Sequence, residues 1–89
     1  MHRLESLVES LLFVSETPLS LDRLCSLLEE FDRAAIREAL DRLLERYGGE
    51  GRGIVLAEVG GGFQFRTPAG NGDVIRRLTK ARPARFSQS

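Results

Sequence analysis

Two helix starts lie close together in residues 19–47, which read LSLDRLCSLLEEFDRAAIREALDRLLERY. Ser20 and Asp32 each carry a side-chain oxygen suited to accept a hydrogen bond from the free amides of a first helical turn. Leu19 and Leu24 have the spacing of a hydrophobic staple around Ser20. Because the link between the two helices is so short, they must cross at a steep angle. This stretch therefore predicts a helix-turn-helix.

Amphipathic helices are predicted before and after this turn. In residues 3–14, a step of 100° per residue gathers the leucines and valines on one stripe and leaves Phe13 on the opposite side. The second helix of the turn covers residues 33–46 and ends at Gly48 and Gly49, which allow the chain to leave the helix. The buried face of this second helix is predicted to hold Ile36, Leu40, Leu43, Leu44 and Tyr47.

The period of the apolar residues changes after Gly53. Residues 54–59 read IVLAEV and residues 63–67 read FQFRT, and both patterns are typical of strands. The three glycines between them, residues 60–62, can adopt any turn geometry. These two strands therefore predict a β-hairpin that follows the helices.

Three helices followed by a hairpin predict an α+β winged helix-turn-helix, with a three-helix core and a two-stranded wing. Asp73 is a candidate cap for a short C-terminal helix whose Val74, Ile75 and Leu78 are expected to point inward. The domain is expected to cover residues 1–80. Residues 81–89 have no apolar periodicity and are expected to form a basic linker or tail.

Composition excludes several classes of protein. A chain of 89 residues suffices for one compact domain, and a single cysteine excludes an internal disulfide. No apolar run approaches the ~20 residues of a membrane-spanning helix, and the first residues lack the pattern of a signal peptide. A cytoplasmic protein without membrane contact is the expectation.

No catalytic, metal or cofactor site is predicted. His2 is the single histidine, and Cys25 lies beside apolar residues of its helix, as a small buried side chain does. Residues 60–62 precede a strand, whereas a phosphate-binding glycine loop precedes a helix. We therefore expect a protein that is not an enzyme and has no small-molecule substrate.

Charge divides the chain into an acidic and a basic part. Residues 1–50 hold 6 basic and 11 acidic side chains, and residues 51–89 hold 7 basic and 2 acidic ones. The face of helix 33–46 that a DNA-reading helix would present carries Glu38, Asp41, Arg42 and Glu45. Such a face repels phosphates. The arginines beside its core stripe, expected to pair with acids one turn away on the same helix, are Arg33, Arg37 and Arg46.

Two kinds of contact with a partner remain open. The first is weak DNA contact without sequence preference, for which the candidates are the basic side chains Arg76, Arg77 and Lys80. Apolar residues beyond the needs of a small core indicate a protein interface, although single exposed apolar side chains are common on any surface. The candidates for this interface are Phe13 and the outward face of the hairpin, namely Val55, Ala57 and Val59.

The chain resembles the N-terminal winged-helix domain of the bacterial segregation and condensation protein B family. The resemblance begins with LLFVS at residues 11–15 and TPLS at residues 17–20, and continues through Ala39, Leu40, Leu43 and Tyr47. Its most specific part is GRGIVLAEVGGGFQFRT at residues 51–67. Residues 82–89 look like the family's entry into a second winged-helix domain, which is absent here, so a fragment is expected.

The resemblance implies a function that the residue patterns alone do not. Members of the family are non-enzymatic scaffold proteins that form homodimers and bind the kleisin subunit, segregation and condensation protein A. Through it they join the SMC ATPase in a nucleoid-associated complex that condenses and segregates the chromosome. The resemblance does not assign interface positions, so Phe13, Val55, Ala57 and Val59 rest on the apolar pattern alone. The alternative is a winged-helix transcriptional regulator that binds DNA.

Overall fold

The structure, a computed structural model, describes residues 3–81. Its elements in chain order are α1 (Arg3–Val14), α2 (Leu21–Leu27), α3 (Arg33–Arg46), β1 (Val55–Val59), β2 (Gly62–Arg66), a 3-10 turn (Ala69–Asn71) and α4 (Gly72–Ala81). This order confirms the predicted α+β winged helix-turn-helix. The predicted tail falls almost entirely on residues 82–89, which lie outside the described residues, as does His2.

The helix starts follow the capping residues, with one difference in mechanism. The Ser20 hydroxyl accepts a hydrogen bond from the Arg23 amide at 3.0 Å, as a capping serine does. Asp32 also occupies the cap position with an extended backbone, but its side chain makes no capping hydrogen bond. The start of α3 therefore depends on the backbone turn and on the packing that follows it.

The core lies between α1, α2, α3 and the inner face of the hairpin. Val8 and Leu12 of α1 pack against α3, and Leu24 of α2 is fully buried beside them. Full burial of one such side chain contributes roughly 1.5–3 kcal/mol. The remaining buried apolar residues are Leu28, Ile36, Ala39, Leu40, Leu43, Leu56 and Phe63.

The hairpin closes through a two-residue turn at Gly60 and Gly61. The last cross-strand pair is Val59 with Gly62, and the two glycines between them have φ angles of 57° and 84°. A turn with positive φ at both central residues matches the twist of the flanking strands. Glycine is required at both positions because other side chains adopt this conformation only with strain.

A third extended segment lies alongside β2. The amide of Leu19 donates to the Phe63 carbonyl at 3.0 Å, and the Phe63 amide donates to the Leu19 carbonyl at 2.8 Å. Gly62 allows this approach, since a Cβ there would lie 2.9 Å from Pro18 Cβ. The segment before α2 thus covers part of the outer edge of the hairpin.

The C-terminal helix differs from the prediction in its packing. Val74 and Leu78 were expected to point inward, but they are exposed, and Ile75 is half-buried. The closest packing of α4 is with the 3-10 turn immediately before it. The buried core is made by residues of α1, α2, α3 and the hairpin and by Leu28, and none of its residues comes from α4. The expectation of an inward apolar face was therefore wrong for Val74 and Leu78.

Candidate interaction surfaces

The arginines of α3 have acidic partners within the domain, and their side chains stay 41–60% exposed. Each of the four arginines of this helix forms an ion pair. Arg37 pairs with Asp41 one turn away at 3.1 Å, as predicted. Arg33 and Arg46, however, pair with acids of other helices, so the expected pairing within α3 was wrong for both.

These other ion pairs connect α3 to its neighbours. Arg33 reaches Asp22 of α2 at 2.8 Å, and Arg42 and Arg46 both reach Glu5 of α1. The Glu5 side chain retains only 7% exposure, so its charge is compensated inside the domain. Sequence spacing within one helix does not reveal such pairs, because they depend on how the helices cross.

Acidic side chains dominate what α3 leaves exposed. Glu38 and Glu45 are both exposed, and Asp41 is exposed beside Arg37. A helix that reads the major groove needs basic and amide groups on this face. The geometry therefore opposes DNA reading by α3.

An open apolar groove lies between the C-terminal half of α1 and the start of the hairpin. We name it the α1–hairpin groove, and its volume is about 380 Å³. Phe13, Val14 and Ile54 line it and expose 51%, 63% and 46% of their surface. The remaining lining residues are Glu9, Ser10, Tyr47 and Phe65.

The floor of the groove is held in place by Tyr47. Its hydroxyl donates a hydrogen bond to the Glu9 carboxylate, and its ring meets Phe65 edge to face with centroids 4.9 Å apart. The Arg52 guanidinium lies 5.6 Å from the centre of the Tyr47 ring. The bond to Glu9, and next the burial of the phenol, raise the pKa of Tyr47 above its ordinary value.

The four predicted interface residues do not form one surface. The register pairs Leu56 with Phe65, so Phe65 shares the inner face of the hairpin with Leu56. Phe13 lines the groove with Phe65, whereas Val55, Ala57 and Val59 point to the other face and are half-buried. The sequence correctly separated the two faces of the hairpin, but it did not show which apolar residues stay exposed.

Ile54 is the groove residue that sequence reasoning missed. The strand predicted over residues 54–59 includes Ile54. Ile54 instead precedes β1 and lies at the open end of the hairpin beside Phe13, 41 positions earlier in the chain. No sequence signal indicates this neighbourhood, because it depends on where the hairpin packs on α1.

The basic residues of α4 lie on an exposed helix. Arg76 forms an ion pair with Asp73 one turn earlier. Arg77 and Lys80 are both exposed. Of the three candidate residues for DNA contact, Arg77 and Lys80 therefore present accessible charges, whereas the charge of Arg76 is compensated by Asp73.

Within residues 3–81, no group of three or more histidine, cysteine or acidic side chains is placed to hold a metal ion. In the same stretch, no helix combines the length and the apolar character of a membrane span. Cys25 is half-buried in α2, with Arg33 Nη1 4.0 Å from its sulfur.

Comparison with known sequences identifies a family. A family model described as segregation and condensation complex subunit ScpB matches residues 6–89. A protein of Myxococcus xanthus named segregation and condensation protein B is 40% identical over 98% of this chain and 26% of its own length. A protein of the same name from Syntrophotalea carbinolica is 36% identical over 97% of this chain and 43% of its own length. The chain thus spans less than half the length of these relatives.

Solved structures share the fold. The dimer of an ScpB N-terminal domain complexed with an ScpA peptide matches with a TM-score of 0.74 and 28% identity, over 88% of this chain and 93% of that one. ScpB from Mycobacterium tuberculosis matches with a TM-score of 0.73 over 96% of this chain and 53% of that one. At 24% identity, the second match supports the fold alone.

Proposed function

This chain belongs to the family of segregation and condensation complex subunits ScpB, and we propose on that basis that it is a homodimerising scaffold subunit of a bacterial SMC–kleisin complex. Its role in this proposal is to bind protein partners during chromosome condensation and segregation, without catalysis. Its partners are a second copy of the chain, the kleisin segregation and condensation protein A and, through the kleisin, the SMC ATPase. Its place is the cytoplasm, at the nucleoid.

One observation carries this proposal. The matching solved domain is a dimer complexed with an ScpA peptide, and the similarity covers 93% of that domain. The part of the fold that dimerises and takes a peptide in that protein is therefore the part that this chain contains. The groove with Phe13 and Ile54 supports the proposal, since exposed apolar surface of this kind marks protein contacts.

The electrostatics of α3 support protein binding over DNA reading. Its arginines are held in ion pairs with Asp22, Asp41 and Glu5, and its exposed acids would repel phosphates. The curated relatives are named segregation and condensation proteins. Both findings oppose the alternative of a transcriptional regulator.

Binding of a kleisin segment tests the proposal. We expect a peptide of the same organism's segregation and condensation protein A, chosen to match the ScpA peptide of the solved complex, to bind the 89-residue chain saturably, as titration calorimetry measures. Glu38→Gln and Leu27→Gln should serve as folded reference variants, because Glu38 is exposed on α3, Leu27 is exposed on α2, and neither lines the groove. The absence of saturable binding at high micromolar concentrations would contradict the kleisin part of the proposal.

A second, weaker activity is favoured by the exposed charges of α4. Arg77 and Lys80 are accessible on one helix, and side chains of this type contact phosphates without reading bases. We propose that they supply weak, sequence-independent contact with DNA, which suits a subunit of a complex that acts on chromosomes. Its test is the salt dependence described in the Discussion.

A further inference from the structure

The apolar side of α4 is uncovered in the described domain. Val74 and Leu78 are 61% and 50% exposed, and Ile75 is half-buried next to them on the helical wheel. Helices shorter than about 12–15 residues are marginal in water unless an apolar face is packed. With ten residues, α4 needs a surface that covers this stripe, which we define as Val74, Ile75 and Leu78.

The α1–hairpin groove is the complementary surface, and the chain leaves the open end of the hairpin next to it on its way to α4. Val55 pairs with Arg66 at the open end of the hairpin, where Ile54 and Phe65 line the groove. From Arg66, the short link of residues 67–71 leads to α4. Among the described residues that line the groove, none belongs to α4 of the same chain. A two-fold axis at this end would bring each α4 next to the groove of the other copy.

Charge favours a second copy as the occupant. Residues 3–71 hold twelve acidic and eight basic side chains, whereas α4 holds three basic side chains and one acidic one. The body of one copy therefore attracts the α4 helix of another. Arg77 flanks the stripe on the helical wheel, and Glu9 lies among the lining residues of the groove. This arrangement places opposite charges beside an apolar contact, as protein interfaces commonly do.

We propose that α4 of one copy packs its Val74–Ile75–Leu78 stripe into the α1–hairpin groove of a second copy, and that the second copy returns the same contact. The homodimer is then held by two equivalent helix-in-groove contacts. This inference rests on the proposed homodimer and specifies its surface. Each contact buries Val74 and Leu78 of one chain against Phe13, Val14 and Ile54 of the other.

Matched variants test the contact from both sides. Val74→Gln with Leu78→Gln removes the stripe while keeping good helix-forming residues, and Phe13→Gln changes the groove. Each should raise the dimer dissociation constant by about tenfold or more in sedimentation velocity, because each weakens both contacts at once. Leu27→Gln removes an exposed leucine of α2 outside both surfaces and should leave the constant unchanged.

A mixing experiment identifies the helix-in-groove geometry. The stripe variant keeps an intact groove, and the groove variant keeps an intact α4. Their mixture can therefore form a heterodimer with one fully native contact, which neither variant forms alone. We expect the mixture to associate about tenfold more tightly than either variant by itself. Circular dichroism of each variant should show the helix content of the original chain.

Distinct results would overturn the inference and the proposed function. A wild-type chain that stays monomeric contradicts the proposed homodimer itself. If the wild-type chain dimerises and both variants keep its dissociation constant, only the α4–groove contact is contradicted. The same follows if the mixture of the two variants associates no more tightly than either variant alone. The same holds if Leu27→Gln weakens the dimer equally. Variants that keep the dimer but lose the kleisin peptide would assign the groove to that peptide instead.

Discussion

Arg42 Nε on α3 donates a hydrogen bond to Oε1 of Glu5 on α1 over 2.9 Å. The Glu5 carboxylate also forms an ion pair with Arg46 of α3. One buried acid of α1 therefore binds two arginines of α3, the second helix of the helix-turn-helix. In a DNA-reading protein, basic side chains of this helix meet phosphates and bases. Here Arg42 and Arg46 are instead paired with an acid of their own domain, although 41% and 50% of their side-chain surface stays exposed.

Removing the charge of Glu5 tests this connection. Glu5→Gln should lower the free energy of unfolding by about 1–3 kcal/mol, because two guanidinium groups lose a buried charged partner. Urea denaturation measures the change. Glu38→Gln changes an exposed acid of α3 and should stay within about 0.5 kcal/mol of the original chain. Equal effects of the two substitutions would show that Glu5 does not anchor α3.

The raised pKa of Tyr47 predicts a dependence of stability on alkaline pH. The folded state keeps the phenol protonated to higher pH than the unfolded state, whose tyrosine has a pKa near 10. The bond to Glu9 therefore stabilises the fold fully below about pH 10, and this stabilisation is lost as the pH rises through the higher folded pKa.

Two measurements check this dependence. Tyr47 is the single tyrosine, so the ultraviolet absorbance of the phenolate reports its titration directly. The stability difference between the original chain and Tyr47→Phe should be about 1 kcal/mol at pH 8 and should shrink above pH 10. A phenolate that forms at or below the pKa of free tyrosine would contradict the Tyr47–Glu9 bond.

Gly62 should tolerate no side chain. A Cβ at this position would lie 2.9 Å from Pro18 Cβ and about 3.0 Å from backbone atoms of Pro18 and Leu19. Gly62→Ala is therefore expected to cost about 1–3 kcal/mol of stability, measured by thermal or urea denaturation. Gly70→Ala is the matched control, since nothing lies within 4 Å of a Cβ there. A stable Gly62→Ala variant would show that the Leu19–Phe63 pairing can move apart.

Weak DNA contact should depend on α4 and not on α3. Binding of duplex DNA at low salt should fall with rising salt, and the double variant Arg77→Gln with Lys80→Gln should reduce the slope of log K against log salt by about 2. Arg33→Gln with Arg37→Gln removes the same number of charges from α3 and should leave the slope unchanged. A slope that falls with the α3 variant would assign DNA contact to the helix-turn-helix.

Local rules were sufficient to predict the elements of the fold. The Ser20 cap, the glycines at 60 and 61 and the apolar stripes of α1 and α3 depend on residues close together in sequence, and the structure confirms them, except that Val14 at the end of the α1 stripe is exposed. The hairpin differs from the prediction by one residue, because the turn holds only Gly60 and Gly61, and Gly62 already belongs to β2 opposite Val59.

Surfaces were harder to predict because they depend on which elements meet. The amphipathic pattern of α4 revealed an apolar stripe, but not that Val74 and Leu78 stay exposed because α4 does not pack on the core. Phe13 was correctly recognised as pointing away from the core. That Ile54 lies beside Phe13 was not predicted, because the position of Ile54 depends on how the hairpin packs on α1.

The mass of the 89-residue chain in solution is the most direct test of whether the chain forms a homodimer. Sedimentation equilibrium over a micromolar concentration range should give twice the 9.9 kDa monomer mass. A mass of 9.9 kDa throughout that range would contradict the proposed homodimer and, with it, the proposed scaffold function.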